Sequence, residues 1–206
     1  MRRTLLLAVL SLALPVAAWA DGIDLINHFG TASISNAGIF SKGSQLSQFN
    51  NINLGHSLGS VSFGTGALLT GTIQAGGTFS SAGSFFNVVG TGPGGQPKGP
   101  IFTGAFVGPI SWTLVSQTGA SLIYQLSGAI SGLLYNGHMV SGTTTQLFHT
   151  TPEQLAKGIL HIQSGHTQLM ATPEPGTLGL LGLGLVGIAS RVRRFKRLAP
   201  AAEQTA

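Results

Sequence analysis

The best local signal in the sequence is Leu133-Leu134-Tyr135-Asn136-Gly137-His138-Met139-Val140, in which Asn-Gly separates two apolar runs. Both turn residues tolerate positive φ, so the pair predicts a two-residue type I′ β-hairpin. Upstream, Ile110-Ser111-Trp112-Thr113-Leu114 alternates apolar and polar residues with the period of two that is typical of a half-buried strand. We therefore expect antiparallel strands in this part of the chain.

Short runs rich in Val, Ile, Thr, Phe and Tyr, separated by Gly and Ser, extend this pattern from about Ser60 onward. The predicted strands are residues 67–74, 84–89, 101–107, 110–116, 121–130, 139–147, 159–164 and 167–171. The 31 glycines argue against long helices, since an interior glycine destabilises a helix by about 1 kcal/mol relative to alanine. Many short strands with regular turns predict an all-β domain, which we expect to be a β-sandwich.

One short helix is predicted after the hairpin. Thr151 can cap its N-terminus, Pro152 suits the first helical position, Gln154 completes a capping box and Gly158 ends it. The sequence thus predicts a β-rich domain with a single helix.

The N-terminus has the three parts of a secretory signal peptide. Arg2 and Arg3 precede an apolar run at residues 5–14, and Ala18 and Ala20 supply a small-x-small cleavage site. A bilayer-spanning helix needs about 20 residues, so this run predicts a signal helix and not a permanent anchor. We expect signal peptidase to cleave after Ala20.

The C-terminus opens with Pro173-Glu174-Pro175 and continues with an uncharged run at residues 176–189. Two prolines keep the backbone extended and exposed, which suits recognition by another protein. The apolar run can enter a bilayer as a helix, and a basic cluster after it resists translocation and stays cytoplasmic. That cluster is Arg191, Arg193, Arg194, Lys196 and Arg197.

This order of motif, apolar segment and basic tail, from Pro173 to about Leu198, resembles the PEP-CTERM sorting signal of exopolysaccharide-producing Gram-negative bacteria. The resemblance implies recognition by an exosortase, a membrane cysteine transpeptidase-like enzyme, and cleavage near the Pro-Glu-Pro. It also implies inner-membrane anchoring through the C-terminal helix during transit, followed by delivery to the cell surface or extracellular matrix. Residues 101–146 resemble exported acidobacterial proteins that carry the same signal, which implies no particular activity.

Four segments follow from these motifs. We expect a signal peptide at residues 1–20, an exported β-rich domain at 21–172, a sorting segment at 173–198 and a disordered tail at 199–206. A signal helix and a membrane helix would thus flank the domain.

The net charge of +5 belongs to the two ends of the chain. Between residues 21 and 172, Lys42, Lys98 and Lys157 balance Asp21, Asp24 and Glu153, so the domain has no basic surface for nucleic acid. The chain has no cysteine, which excludes disulfides and thiolate metal sites.

The strongest enzymatic motif is Gly55-His56-Ser57-Leu58-Gly59, which fits the G-x-S-x-G nucleophile elbow of hydrolases. Glu153 and either His161 or His166 follow in the order that hydrolases use. However, residues 60–66 read as a strand, and the elbow requires a helix there. We therefore interpret the motif as a glycine-rich turn.

Other chemistry has less support. On a strand, the five-residue offset between His161 and His166 predicts opposite faces, so we expect no metal site. The paired carboxylates of a glycosidase would have to come from Asp21, Asp24 and Glu153, and the two aspartates lie at the new N-terminus, a poor position for rigid catalytic groups. We predict no catalytic residue, cofactor or metal.

The sequence therefore predicts a non-enzymatic exported protein of the cell envelope, with exopolysaccharide as a further partner. The alternative is a secreted serine esterase that uses Ser57.

Replacing Pro173-Glu174-Pro175 with three alanines should block C-terminal processing, because the extended recognition segment is lost. The mass and location of the mature protein measure this directly. Unchanged mass and location would refute the predicted role of the motif.

Overall fold

Eleven strands, one short α-helix and a three-residue 3₁₀ helix at Pro93–Gly95 make up the part of the chain that the computed structural model describes, residues 22–171. The strands are β1 Gly22–His28, β2 Thr31–Ser35, β3 Gly38–Phe49, β4 Gly59–Gly64, β5 Leu68–Thr72, β6 Gly76–Phe79, β7 Phe85–Thr91, β8 Lys98–Thr118, β9 Ser121–Leu134, β10 Met139–Thr150 and β11 Ile159–Ala171. The helix, α1, is Pro152–Ala156. The predicted signal peptide, with Ala18 and Ala20, and the predicted sorting segment and tail lie outside the described residues.

Eight strands form a closed antiparallel barrel in the order β1, β3, β4, β7, β8, β9, β10, β11, and β11 pairs with β1 again. β2 continues β1 along the same two neighbours, because His28 pairs with Ser164 and Thr31 with His161. The bend between them is at Phe29 and Gly30, which have φ of 58° and 114°. The barrel is therefore an up-and-down meander, in which neighbouring strands follow one another along the chain.

The hairpin β5–β6 is inserted between β4 and β7 and does not enter the barrel wall. β6 pairs instead with the second half of β8, where Gly77 lies opposite Trp112. β8 is long enough to serve both neighbours because it runs for 21 residues, with a register shift between Val107 and Ser111.

The all-β prediction is confirmed, but the β-sandwich prediction is wrong. A sandwich needs two separate sheets, whereas here one sheet curls until its last strand pairs with its first. Bulges permit this curvature, since each one bends its strand and increases the local twist. They interrupt the pairing of β1 with β3, β3 with β4, β7 with β8, β8 with β9, and β10 with β11.

Aromatic side chains fill much of the barrel interior. Phe63 and Phe86 stack at 5.9 Å between ring centroids, and Phe148 contacts Phe63 edge-on at 6.2 Å. Trp112 and Tyr124 stack at 4.6 Å with an interplanar angle of 3°. All five side chains are at most 1% exposed, so the barrel is packed and not a channel.

A network of polar side chains lies inside the same barrel. The Asn27 amide donates to Ser44 Oγ at 2.7 Å and to Gln146 Oε1 at 3.0 Å. Gln146 donates to Thr144 Oγ1 at 2.9 Å, and Thr144 shares a hydrogen bond of 2.8 Å with Thr167. These side chains come from β1, β3, β10 and β11, so the network links the strands at which the barrel closes.

The predicted helix and hairpin are both present. Thr151 Oγ1 accepts from the Gln154 N–H, and Gln154 Oε1 accepts from the Thr151 N–H, each at 3.2 Å, which completes the capping box. The hairpin joins β9 to β10, but the type I′ assignment is wrong. Only Gly137 has positive φ there, and its N–H donates to Leu134 O at 2.9 Å. Asn136 thus keeps an ordinary φ, and Gly137 alone takes the left-handed conformation.

Gly165→Ala should destabilise the barrel by about 1–3 kcal/mol. An added Cβ would overlap Gln146 Oε1 and Asn27 Oδ1 and so disrupt the internal network. Urea unfolding measures the loss. Gly22→Ala is the control, since its Cβ would lie 3.7 Å from Leu169 O. Equal stability of the two variants would contradict the proposed tight fit at Gly165.

Candidate functional site

The chain enters and leaves the barrel at one rim, which we call the entry rim. Gly22 pairs with Met170 at the ends of β1 and β11. Asp24 anchors the first strand, because its N–H donates to Asn50 Oδ1 at 2.9 Å and its carbonyl accepts from the Asn50 N–H at 2.6 Å. His166 Nε2 also lies 2.5 Å from Asp24 Oδ1. Asp24 is therefore fixed in a strand and does not lie on a loose end.

The opposite rim, which we call the far rim, is covered by the tip of the β5–β6 hairpin. Trp112 Nε1 donates to Ile73 O at 2.9 Å, and the Tyr124 hydroxyl donates to Gln74 O at 2.7 Å. Burial raises the pKa of the Tyr124 phenol above its ordinary value, so the neutral donor form is favoured. A cleft of about 250 Å³ lies here, lined in part by Tyr124, Gln74 and Leu155 of α1.

Ser57 lies in the loop between β3 and β4, and β4 begins at Gly59, where a nucleophile elbow would need a helix. Its Oγ donates to Gly59 O at 3.0 Å, within its own turn. The next residue, Leu58, is fully buried, and its carbonyl accepts from the Thr91 N–H at 2.9 Å. Within residues 22–171, Ser57 makes no hydrogen bond to a histidine, so the motif is used as a turn that places Leu58 in the core.

The other residues that a hydrolase triad would need make contacts elsewhere and not with Ser57. Glu153 is on α1, His161 contacts Gln154 at 3.2 Å between Nε2 atoms, and His166 contacts Asp24. The prediction that the two histidines occupy opposite faces is wrong. The inward positions of β11 are first even-numbered, Leu160 and Ile162, and then odd-numbered, Gly165, Thr167 and Leu169. They change because the pairing of β11 with β10 shifts register between Ile162 and Ser164.

Both histidines consequently lie on the outer surface. Even so, no group of three or more His, Asp or Glu side chains in the described part of the chain could hold a metal ion.

The outer side of β8–β11 carries a band of polar side chains, which we call the polar face, and exposed apolar side chains such as Val107, Met139 and Met170 lie among and beside them. One row across the four strands is Ser111, Ser127, Thr145 and His166, paired in register. Neighbouring rows add Gln125, Thr143 and Gln168. Strands lie about 4.8 Å apart and outward residues about 6.8 Å apart along each strand, so the groups form a regular grid.

The strands of the polar face contain no Asp, Glu, Lys or Arg apart from Lys98, the first residue of β8, and the face has unused hydrogen-bonding capacity. Five of its side chains make no hydrogen bond with any described residue, namely Gln125, Ser127, Thr143, Thr145 and Gln168. Sequence reasoning did not identify this face, although the alternating Ser, Thr and Gln of β9 and β10 carried the signal.

Comparison with known protein families identifies the sorting signal in the C-terminal part of the chain. Residues 171–194 match the PEP-CTERM protein-sorting motif. No curated protein and no solved structure matches the chain. The predicted sorting signal is thus confirmed, and the chain carries the signal of an exported, membrane-associated protein that is processed by an exosortase and sorted to the cell surface.

The motif directly follows the barrel. It begins at Ala171, the last residue of β11, and only Thr172 separates that strand from Pro173. Residues 22–171 contain no helix that is long and apolar enough to cross a membrane. The predicted membrane helix, with Arg191, Arg193 and Arg194, lies outside the described residues. The resemblance of residues 101–146 to acidobacterial proteins stays a prediction.

Tyr124→Phe should remove the part of the pH dependence of folding stability that comes from ionisation of the buried phenol. The unfolded phenol ionises from about pH 10, whereas the folded phenol resists ionisation. Its stabilising contribution is therefore complete below about pH 10 and is lost as the pH rises through the raised pKa. The variant should also lose about 0.5–1.5 kcal/mol at neutral pH with the hydrogen bond.

Urea unfolding of both proteins between pH 8 and pH 11.5 measures this difference. Tyr135→Phe is the matched control, because Tyr135 is 58% exposed. Parallel stability profiles for the wild type and Tyr124→Phe would contradict the assigned role of the phenol.

Proposed function

We propose that the mature protein is a non-enzymatic component of the cell surface and that its polar face contacts a neutral exopolysaccharide. One observation carries the proposal. Four neighbouring strands present uncharged hydroxyl, amide and imidazole groups at regular spacing, and several of these groups have no partner among the described residues.

The chemistry of the polar face suits a polysaccharide with many hydroxyl groups. Thr143, Thr145 and Ser127 can both donate and accept hydrogen bonds, and the amides of Gln125 and Gln168 can do the same. The groups stand on paired strands, so little backbone entropy is lost when a ligand binds. A charged polymer is disfavoured, because no side chain on β9, β10 or β11 neutralises its charge.

Delivery agrees with this proposal. The PEP-CTERM signal supports sorting of the protein to the cell surface, and a neutral exopolysaccharide is the partner that we propose there. Each hydrogen bond contributes little by itself, so retention would depend on many contacts along a repeating chain.

The alternative, a secreted serine esterase, lacks support at Ser57. The hydroxyl is bonded within its own turn, and a strand follows it. We therefore propose that the intact protein hydrolyses simple esters no faster than buffer. Measurable hydrolysis that disappears in Ser57→Ala would favour the esterase.

Thr143→Ala combined with Thr145→Ala should weaken retention on the native exopolysaccharide about tenfold, as expected for two lost hydrogen bonds of about 0.7 kcal/mol each. Affinity electrophoresis of the mature protein through the polysaccharide measures the change. Ser60→Ala with Ser62→Ala, at outward positions of β4 across the barrel from β10, is the matched control and should leave retention unchanged.

Two results would contradict the proposal. If the wild-type protein is not retained, the polysaccharide is not its ligand. If both double variants are retained equally, the polar face is not the surface that contacts the polysaccharide.

A further inference from the structure

The strand β5 has a free edge. Every barrel strand has a neighbour on each side, and β2 and β6 also have two. Within residues 22–171, β5 is the one strand that pairs on a single side, with β6. The Leu68 N–H donates to Asn36 O at 2.9 Å, and no backbone hydrogen bond outside the hairpin involves residues 69–72. Such an edge is a template for another strand.

Space for a second strand lies beside this edge. A cleft of about 530 Å³ is lined by residues 68–74 and by Asn36 of the β2–β3 turn. Leu69, on the edge, is 60% exposed. An extended segment placed there would gain backbone hydrogen bonds and cover an apolar side chain.

Two of the usual protections of an edge strand are missing here. Natural proteins block edges with lysine, proline, inward charges or bulges. β5 has a bulge at Leu69 and a left-handed glycine, Gly71 at φ 79°, but it has no charge and no proline. The whole stretch from residue 43 to residue 97 contains no Asp, Glu, Lys or Arg. No charge therefore repels an identical copy, and none attracts a charged partner.

We propose that β5 is a self-association edge, at which two copies of the mature protein pair their β5 strands antiparallel about a twofold axis. Antiparallel pairing of identical edges is self-complementary, so each copy offers the surface that the other needs, and the assembly closes at two. Threonines at positions 70 and 72 favour such pairing, because β-branched residues suit strands. The proposal is independent of polysaccharide binding.

The edge is only five residues long, so the dimer should be concentration-dependent. Sedimentation velocity of the mature protein over a hundredfold concentration range should show a monomer that converts to a dimer. Leu69→Lys should shift this conversion to at least tenfold higher concentration, because it places two like charges at the paired edges. Val115→Lys, at a 54% exposed position of β8, is the matched control and should leave it unchanged.

Disulfide capture tests the location of the pairing independently. The chain has no cysteine, so Thr70→Cys introduces a single thiol at the middle of β5. Mild oxidation should link two copies through this residue, whereas Val115→Cys should stay unlinked. Near-ultraviolet circular dichroism confirms that each variant is folded.

A wild-type protein that stays monomeric over the whole concentration range would overturn the proposal. The same result is expected if β5 pairs with a segment of a different protein, so that case would overturn it too. A dimer that resists Leu69→Lys, or that links equally well through Val115→Cys, would place the interface elsewhere and would also overturn it.

Discussion

The pairing of β1 with β11 holds the barrel closed. Seven residue pairs, from Gly22–Met170 to His28–Ser164, join the first strand to the last and turn an open meander into a barrel. Without that ladder, β1 and β11 would both be edges, and the inward side chains between them would meet water. The closing contact spans nearly the whole domain, so its loop-closure entropy must be overcome before the barrel can form. Folding therefore cannot be complete until β11 has been synthesised and has reached β1.

The buried polar network gives this closure its register. Asn27 of β1 and Gln146 of β10 are 119 residues apart and exchange hydrogen bonds across Gly165 of β11. A slip of one residue would turn these side chains outward and bury their neighbours. An apolar cluster tolerates such errors better than a network whose donors and acceptors must all meet. The network thus supplies specificity at the seam, while the aromatic side chains and the aliphatic residues around them supply the apolar packing.

Local features of the fold could be predicted from the sequence, but the closure of the sheet into a barrel could not. The capping box at Thr151 and the turn at Gly137 depend on a few consecutive residues, and both were found, although the turn type was not. The strands β1–β3 were missed because Ser41, Ser44 and Asn27 occupy inward positions and hide the apolar alternation. Whether the strands form two sheets or one barrel depends on which distant strands pair, and no local pattern carries that information. For the same reason, the sorting motif could be read directly as a linear signal, whereas the polar face could be recognised only once the outward residues of four strands were known.

The hydrogen bond from Trp112 to Ile73 has a spectroscopic consequence. The chain has two tryptophans, and Trp19 belongs to the predicted signal peptide, so the mature protein would keep a single indole. That indole is buried, stacked on Tyr124 and bonded to the hairpin that covers the far rim. Its emission wavelength and its quenching by solutes would report how tightly the hairpin lies against the barrel. The protein thus contains an intrinsic optical probe at the one place where an accessory hairpin meets its core.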